Sequence, residues 1–196
     1  MGKLFYIIGR SASGKDRLQK ELQRRFGDAL RPVVMYTTRP MRSGEQEGEA
    51  YHFITPETFA VWQQAGRVIE SRTYQTVHGP WTYATLDDGQ IDLSRHAYLM
   101  VGTPESYCGA RDYFGADAVM PLFIHVEEGQ LLQRALLREM AQEQPKYAEL
   151  CRRFLADAED FSAEKLEALK LPRVFENDDF DRCADELEAA MREALQ

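Results

Sequence analysis

Short apolar runs alternate with longer amphipathic segments along most of the chain. The apolar runs predict strands at 4–8, 33–37, 51–54, 67–72, 97–102, 119–126 and 173–176. Apolar residues that recur every four positions, such as Leu18, Leu22 and Phe26, indicate helices. The helices are predicted at about 15–26, 56–65, 104–114, 127–142, 146–160 and 179–195. This alternation predicts an α/β fold in which helices cover both faces of a parallel sheet.

Two segments interrupt the alternation. Residues 33–95 combine short strands and one short helix with turn signals, which predicts a β-rich insert; the signals are Ser43-Gly44, His78-Gly79-Pro80 and Asp88-Gly89. Residues of about 134–159 are helical and rich in arginine. We therefore expect residues 1–196 to form one domain, with an insert at about 33–95 and a helical lid at about 134–159. The core then comprises about 1–32, 96–133 and 160–196.

Composition narrows the possible classes of protein. The 196 residues are 44% hydrophobic and 29% charged, which is typical of one globular domain. No apolar stretch reaches the length of a membrane span, and the N-terminus has no signal-peptide pattern. Three widely spaced cysteines, Cys108, Cys151 and Cys183, favour a reducing cytoplasm over a disulfide framework. The net charge of −8 argues against general nucleic-acid binding. We expect small-molecule substrates, no membrane association and no obligate protein partner.

The most informative motif is Gly9-Arg10-Ser11-Ala12-Ser13-Gly14-Lys15-Asp16, which matches the phosphate-binding pattern G-x-x-x-x-G-K. Glycines allow consecutive N–H groups to turn inward, and the following helix adds its own free N–H groups. Lys15 supplies a mobile charge for the β- and γ-phosphates. The motif lies between a predicted strand and a predicted amphipathic helix, so a glycine-rich turn without a ligand is disfavoured. The loop predicts binding of a nucleoside triphosphate.

Asp16 occupies the position where a serine or threonine hydroxyl ordinarily coordinates Mg²⁺. A carboxylate is also a good ligand for a hard cation, so Asp16 is a candidate metal ligand, directly or through water. Aspartate is equally favoured near a helix N-terminus, where it would act as a cap while the metal is held elsewhere. Both alternatives remain open from the sequence.

A second motif, Thr37-Thr38-Arg39-Pro40-Met41-Arg42-Ser43-Gly44-Glu45, is followed by Tyr51-His52-Phe53. Together with the phosphate loop it resembles the guanylate kinase family, and the resemblance extends through most of the chain. Val68-Ile69-Glu70 is similar to the family's strand with a guanine-contacting glutamate, and Trp81-Thr82-Tyr83-Ala84-Thr85 to its N-Y-Y-G-T segment. Phe175-Glu176-Asn177-Asp178-Asp179 resembles the segment beside the adenine.

The resemblance implies a P-loop NTPase fold with three α/β/α layers, ATP and Mg²⁺ as cofactors, and phosphoryl transfer to a nucleotide acceptor. The implied catalytic residues are Lys15, Arg138 and Arg153. The implied ATP-binding residues are Gly9, Ser11, Ala12, Ser13, Gly14, Lys15, Asp16, Arg134 and Asn177. The implied acceptor-binding residues are Arg39, Arg42, Glu45, Tyr51, Glu70, Tyr83 and Thr85. Their chemistry agrees with these roles, since arginines and tyrosines bind a phosphate and a glutamate accepts the N–H protons of guanine.

Several positions depart from the family pattern. The Gly-Lys-Asp ending of the loop is similar to that of ribose 1,5-bisphosphate phosphokinase, a relative with a sugar-phosphate acceptor. The acidic motif expected after the insert is absent near Gly102, where Glu105 is the available substitute. Met35 replaces a small polar residue, and extra residues at 75–78 precede Trp81.

Three functions therefore stay open. The leading hypothesis is an ATP-dependent GMP kinase, and the alternative is a kinase for another phosphorylated acceptor such as ribose 1,5-bisphosphate. A non-catalytic guanylate-kinase-like binding module is the third, and the presence of Lys15, Arg138 and Arg153 argues against it.

Overall fold

The computed structural model describes residues 2–42, 44–49, 51–76 and 79–196, and within them the larger sheet is entirely parallel. Its strands are β1 (Leu4–Gly9), β2 (Leu30–Pro32), β7 (Ala97–Gly102), β8 (Val119–His125) and β9 (Val174–Glu176). Their order across the sheet is β2-β7-β1-β8-β9. The phosphate loop follows the central strand β1, so it lies at the carboxyl edge of the sheet, where α/β folds bind ligands.

The helices are α1 (Lys15–Phe26), α2 (Pro56–Gln64), α3 (Pro104–Phe114), α4 (Glu128–Met140), α5 (Tyr147–Asp160), α6 (Ala163–Leu169) and α7 (Phe180–Ala194). Alternate residues of β1 belong to different apolar clusters. Phe5 and Ile7 pack with residues of α1 and α7, whereas Leu4, Tyr6 and Ile8 pack with residues of α3 and α6. Burial on both faces explains why β1 is a continuous apolar run. No helix in the described part of the chain is long and apolar enough to cross a membrane.

A second, four-stranded sheet comes from the predicted insert. Its strands are β3 (Met35–Thr37), β4 (Tyr51–Phe53), β5 (Val68–Thr76) and β6 (Gly79–Leu86), in the order β4-β3-β6-β5. The pairs β3–β6 and β5–β6 are antiparallel, and β3–β4 is parallel. The β5 strand packs against α3, which joins the two sheets through one helix.

The strands and helices predicted from the apolar runs were wrong at several boundaries. The strand predicted at 33–37 begins at Met35, and the separate short strand β2 was missed. Among the described residues β2 pairs only with β7, and its three residues are too few to show an alternating pattern. The helix α6 was also missed, because its seven residues are too few to show a clear helical period.

The β5–β6 hairpin is longer than predicted. The β5 strand runs past the predicted end at residue 72 as far as Thr76, and β6, which was not predicted, begins at the Gly79-Pro80 pair read as a turn. Of the predicted turn and extra residues, Ser43, Val77 and His78 lie outside the described residues.

Candidate functional site

The phosphate loop connects β1 to α1 in a tight conformation. Gly14 has a φ of 88° and Ala12 a φ of 65°, both in the left-handed region. A Cβ atom on Gly14 would lie 2.6 Å from Nδ2 of Asn177, and one on Gly9 would lie 2.7 Å from Oγ of Ser13. Gly14 is therefore required by backbone geometry and by close packing, and Gly9 by the close approach of Ser13.

Asn177, which directly follows β9, stabilises this loop through hydrogen bonds. Its Nδ2 donates to the carbonyl of Ser13 at 2.6 Å, and its own N–H donates to the carbonyl of His125 at 2.9 Å. Arg134 of α4 donates to the carbonyl of Asn177 at 2.9 Å. Asn177 and Arg134 thus shape the loop in this structure, and their direct contact with ATP stays a prediction.

A cavity of about 270 Å³ opens beside the loop and α1. It is lined by Ala12, Gly14, Lys15, Asp16, Arg17, Arg134 and Arg138. Burial lowers the pKa of Lys15, whose Nζ donates to the carbonyl of Arg10 at 3.3 Å. Four cations and one carboxylate therefore face this space, which suits a polyphosphate.

Two buried polar atoms of the loop have no hydrogen-bond partner among the described residues. They are Oγ of Ser13 and Nε of Arg10. Unpaired buried donors are rare in folded proteins, and a bound anion is one way to satisfy them. The residues present therefore fit a phosphate group at the loop.

The predicted lid brings Arg138 and Arg153 to the loop. A smaller cavity is lined by Ser11, Ala135, Arg138, Leu150, Arg153 and Phe154, so Arg138 borders both cavities. Arg153 lies 3.8 Å from Oε2 of Glu139, which is only 2% exposed, and donates to the carbonyl of Glu149 at 3.4 Å. Glu139, which the sequence reasoning missed, also accepts the N–H of Lys146 at 2.6 Å and so fixes the connection between α4 and α5.

Sequence reasoning also missed the contact between α5 and the loop. Oδ2 of Asp157 accepts the N–H of Ser11 at 2.5 Å. Arg10 donates to Glu128 at 2.9 Å and to the carbonyl of Phe154 at 3.5 Å, and its guanidinium lies 4.9 Å from the Phe154 ring. The available signal was helical spacing, because Asp157 follows Arg153 by one turn and shares its face.

On the insert, Arg39 and Glu45 form a buried fork. Arg39 is 3% exposed, and its two terminal nitrogens donate to the two oxygens of Glu45 at 2.9 and 2.8 Å. Oε2 of Glu45 also accepts the N–H of Arg42 at 2.7 Å. Arg39, followed by the N–H of Arg42, lowers the pKa of Glu45 to about 2. Glu45 thus orients Arg39 and the Arg42 backbone, while the Arg42 side chain is exposed.

Two tyrosines lie beside this fork. The Arg39 guanidinium lies 5.5 Å from the ring of Tyr51, and the Tyr51 and Tyr83 ring centroids are 5.5 Å apart. Burial, followed by Tyr83, raises the pKa of Tyr51 to about 12, and the charge of Asp16 adds to this shift. The charge of Asp16 therefore reaches Tyr51, so the loop and the insert lie within electrostatic range of one another.

Glu70 lies in β5, opposite Thr85 of β6. Thr85 Oγ1 donates to Oε1 of Glu70 at 2.6 Å. Burial, partly offset by the Thr85 hydrogen bond, raises the pKa of Glu70 to about 7. A Cβ atom on Gly109 of α3 would lie 2.6 Å from Cβ of Glu70, so the glycine lets the helix approach this strand closely. The structure therefore brings Glu70 and Thr85 together, as expected.

Beside Glu70, Arg72 joins the insert to the core. Its Nη2 lies 2.6 Å from Oδ2 of Asp160 at the end of α5, and its Nε lies 3.5 Å from Oε2 of Glu105 on α3. The Glu105 charge also raises the pKa of Glu70, after burial. Arg72 is thus paired with two carboxylates, Asp160 and Glu105, next to the strand position of Glu70.

Gly102 and Met35 both lie in closely packed surroundings. A Cβ atom on Gly102 would lie 2.4 Å from Oη of Tyr6 and 2.5 Å from Oγ of Ser106, so this position has no room for a side chain. The Tyr6 hydroxyl donates to Ser106 at 2.8 Å and fills this space. Met35 packs against the apolar cluster under β1.

Within the described residues, no group of three or more His, Cys, Asp or Glu side chains is arranged to hold a metal ion. Asp16 is exposed at the rim of the larger cavity, where a single carboxylate can share a cation with phosphate oxygens. Its role as a metal ligand therefore stays a prediction that depends on bound nucleotide.

Comparison with known proteins agrees with this geometry. The family model for guanylate kinase matches residues 1–87. The guanylate kinase of Paraburkholderia xenovorans is 30% identical over 195 residues, which cover 95% of this chain and 78% of that protein. The ribose 1,5-bisphosphate phosphokinase of Pectobacterium atrosepticum is 32% identical over 148 residues, which cover 74% of this chain and 73% of that protein.

A solved structure, guanylate kinase from Anaplasma phagocytophilum, superposes with a TM-score of 0.71 at 22% identity, and covers 100% of this chain and 87% of its own. This similarity and the parallel five-stranded sheet confirm the predicted α/β fold of the P-loop NTPase class.

Proposed function

Because this chain belongs to the guanylate kinase family and is a phosphotransferase, we propose that it transfers the terminal phosphate of ATP to GMP. In this proposal the insert at about 33–95 binds the acceptor, and the segment at about 134–159 is the lid. All three cysteines are free thiols, which is compatible with a reducing compartment, and we propose that the enzyme acts in the cytoplasm.

The proposal that GMP is the acceptor rests on Glu70. Its carboxylate is largely buried and accepts hydrogen bonds from Oγ1 and from the backbone N–H of Thr85. Guanine presents two adjacent N–H donors, on N1 and on the exocyclic amino group, which match a carboxylate. Adenine presents an acceptor at N1, which would face the carboxylate unpaired. A site that pairs with polar edges rejects the wrong base strongly for this reason.

The charge around Glu70 argues against a second phosphate at the same place. The charge of Glu105 acts on Glu70, and Arg72 is already paired with both Asp160 and Glu105. An acceptor with phosphates at both ends, such as ribose 1,5-bisphosphate, would place one anion beside these carboxylates. A base with N–H donors avoids that repulsion. The Gly-Lys-Asp loop ending and the phosphokinase relative keep the sugar bisphosphate as the second candidate.

In the proposed mechanism, the loop N–H groups and Lys15 bind the β- and γ-phosphates of ATP. Arg39 and Arg42, with the hydroxyls of Tyr51 and Tyr83, bind the phosphate of GMP and aim one of its oxygens at the γ-phosphorus. That oxygen forms the new P–O bond while the bond to the ADP oxygen breaks, so ADP leaves with the electron pair. No covalent intermediate with the enzyme is required.

Arg138 and Arg153 neutralise charge on the transferring group. Arg138 lies between the two cavities and Arg153 lines the second, so closure of the lid would direct both toward the γ-phosphate. Asp16 would hold Mg²⁺ at this site, and the ion would supply positive charge that offsets the charge of the phosphates.

The proposal is tested by ADP release from Mg-ATP with GMP, dGMP, AMP, UMP, CMP and ribose 1,5-bisphosphate as acceptors. The Lys15→Ala variant, prepared in the same way, measures contaminating kinase activity. Turnover with GMP and dGMP, well above the other acceptors, supports the proposal. Turnover with ribose 1,5-bisphosphate alone assigns the second candidate, and equal rates for wild type and Lys15→Ala contradict both.

A further inference from the structure

The carboxylate of Asp157 is hydrogen-bonded to a backbone N–H group of the phosphate loop that is suited to bind an anion. Its Oδ2 accepts the N–H of Ser11 at 2.5 Å, and the two residues are 146 positions apart in the chain. The inward-facing N–H groups of such a loop bind the oxygens of a phosphate. An internal anion is therefore already seated where the donor phosphates are expected.

The charge of Asp157 also reaches the groups that face the transfer. Burial lowers the pKa of Lys15, and the charges of Asp16 and Asp157 partly reverse this effect. Burial raises the pKa of Tyr74 on the acceptor side, and Asp157 contributes after Asp160. Asp157 is thus electrostatically coupled to the lysine of the loop and to the insert.

The other carboxylates near the loop are arranged differently. Glu128 pairs with Arg10 at 2.9 Å and is mostly exposed, and Glu139 is held by Lys146 and Gln142. Asp16 lies at the rim of the larger cavity and is exposed. In the hydrogen bonds of the described residues, Asp157 is the carboxylate that accepts from a loop N–H between Gly9 and Gly14.

We propose that Asp157 competes with the donor phosphates for the loop, so that it lowers the affinity for ATP and couples ATP binding to release of helix α5. The proposal rests on the proposed donor site at residues 9–16. A carboxylate and a γ-phosphate are both anions, so they repel one another and cannot share the N–H of Ser11 at full strength.

Release of Asp157 has a consequence for Arg153. The two residues lie one turn apart on the same face of α5, and Arg153 is held at present by Glu139 and Glu149. Displacement of Asp157 by ATP would free this face of the helix to turn Arg153 toward the transferring phosphate. Asp157 is therefore a positioning residue that acts through the loop and the helix.

Binding of ATP, ADP and adenosine by wild type, Asp157→Asn and Asp157→Ala, measured by isothermal titration calorimetry with and without Mg²⁺, tests the proposal. Asp157→Asn keeps the size of the side chain and removes its charge. Glu159→Gln is the matched control, since it removes the same charge from an exposed position two residues away on α5. Thermal unfolding checks that every variant is folded.

We expect Asp157→Asn to bind ATP about tenfold more tightly. The repulsion free energy of two like charges in contact near a protein surface is larger than the free energy that a tenfold change in affinity represents. Asp157→Ala should gain at least as much, Glu159→Gln should stay within about twofold of wild type, and adenosine should bind all four proteins equally. The gain for ADP should be smaller than that for ATP.

Unchanged ATP affinity in both Asp157 variants would overturn the inference. Weaker binding of Mg-ATP but not of free ATP would also overturn it, since Asp157 would then be a metal ligand. An equal change for ATP and adenosine would mean that Asp157 only maintains the structure. If wild type binds no ATP, the donor site itself is wrong, a failure that is distinct from the others.

Discussion

Replacing Glu70 by glutamine tests the base-reading pocket with little change in side-chain size. Glutamine keeps one oxygen, which can still accept from Thr85 Oγ1 as Glu70 does at 2.6 Å. Its other terminal atom is an NH₂ group, a donor that would face the N–H donors of guanine. The variant therefore removes a charge and replaces an acceptor by a donor in a largely buried place.

The expected loss follows from these two changes. A hydrogen bond to a charged group contributes about 1.5–3 kcal/mol, and an unpaired buried donor costs a similar amount. We expect kcat/KM for GMP to fall by roughly 30- to 150-fold, which corresponds to about 2–3 kcal/mol. Turnover of ribose 1,5-bisphosphate, if present at all, should not fall, because this acceptor has no N–H donors.

The pH dependence gives a second readout of the same carboxylate. With a pKa of about 7, about one tenth of Glu70 is ionised near pH 6 and about nine tenths near pH 8. Since guanine needs the ionised form, the KM for GMP of the wild type should fall by about tenfold over this range. Titration of the acceptor phosphate is common to both proteins, so the ratio of wild type to Glu70→Gln isolates the carboxylate.

Stability supplies the control against a simple folding defect. The pKa of Glu70 is higher in the folded protein, at about 7, than the ordinary value of 4.5, because burial penalises its charged form. The free energy of unfolding should therefore fall as pH rises from about 4.5 to about 7. Glu70→Gln should be more stable than wild type near pH 8, by on the order of 2 kcal/mol, and equal to it near pH 4.5. Unchanged GMP kinetics together with a parallel pH profile in both proteins would refute the pocket assignment.

Three further substitutions test other parts of the cleft. Lys15→Ala should abolish phosphoryl transfer without changing the circular dichroism spectrum, and near-normal ADP release would contradict the loop assignment. Arg42→Ala should raise the KM for the acceptor by about tenfold and leave the KM for ATP almost unchanged, and an effect confined to ATP would place the acceptor phosphate elsewhere. Arg72→Ala should raise the acceptor KM several-fold by releasing β5 from Asp160, which lies 2.6 Å away. Additive effects of Arg72→Ala and Asp160→Asn in a double-mutant cycle would show that this pair does not act as a unit.

The parts of the site that sequence predicted are those encoded in short contiguous motifs. The loop Gly9–Asp16 lies between β1 and α1 as expected, because a strand, a glycine pattern and an amphipathic helix are all local signals. Arg39 and Glu45 were both predicted in the acceptor site, but the bidentate pairing between them was not. Their pairing depends on how the chain at 39–45 folds back on itself, which residue type does not determine.

The parts that sequence missed depend on distant contacts. Asp157 and Ser11 are 146 positions apart, and Arg72 and Asp160 are 88 positions apart, so no periodicity connects either pair. The strand β2 has three residues and owes its existence to pairing with β7. The length of β5 depends on its partner β6, whose Gly79-Pro80 start has the composition of a turn.

The charges at the two ends of the proposed cleft differ in sign, and this difference favours one class of acceptor. In the proposed orientation Arg39 and Arg42 bind the phosphate end, whereas Glu70 and Glu105 lie at the opposite end, where Arg72 pairs with Asp160 and Glu105. A nucleoside monophosphate with an anionic phosphate and a base rich in N–H donors has the complementary polarity. A sugar bisphosphate has anions at both ends and would be bound at one end and repelled at the other. The same polarity would orient GMP with its phosphate toward ATP before the lid closes.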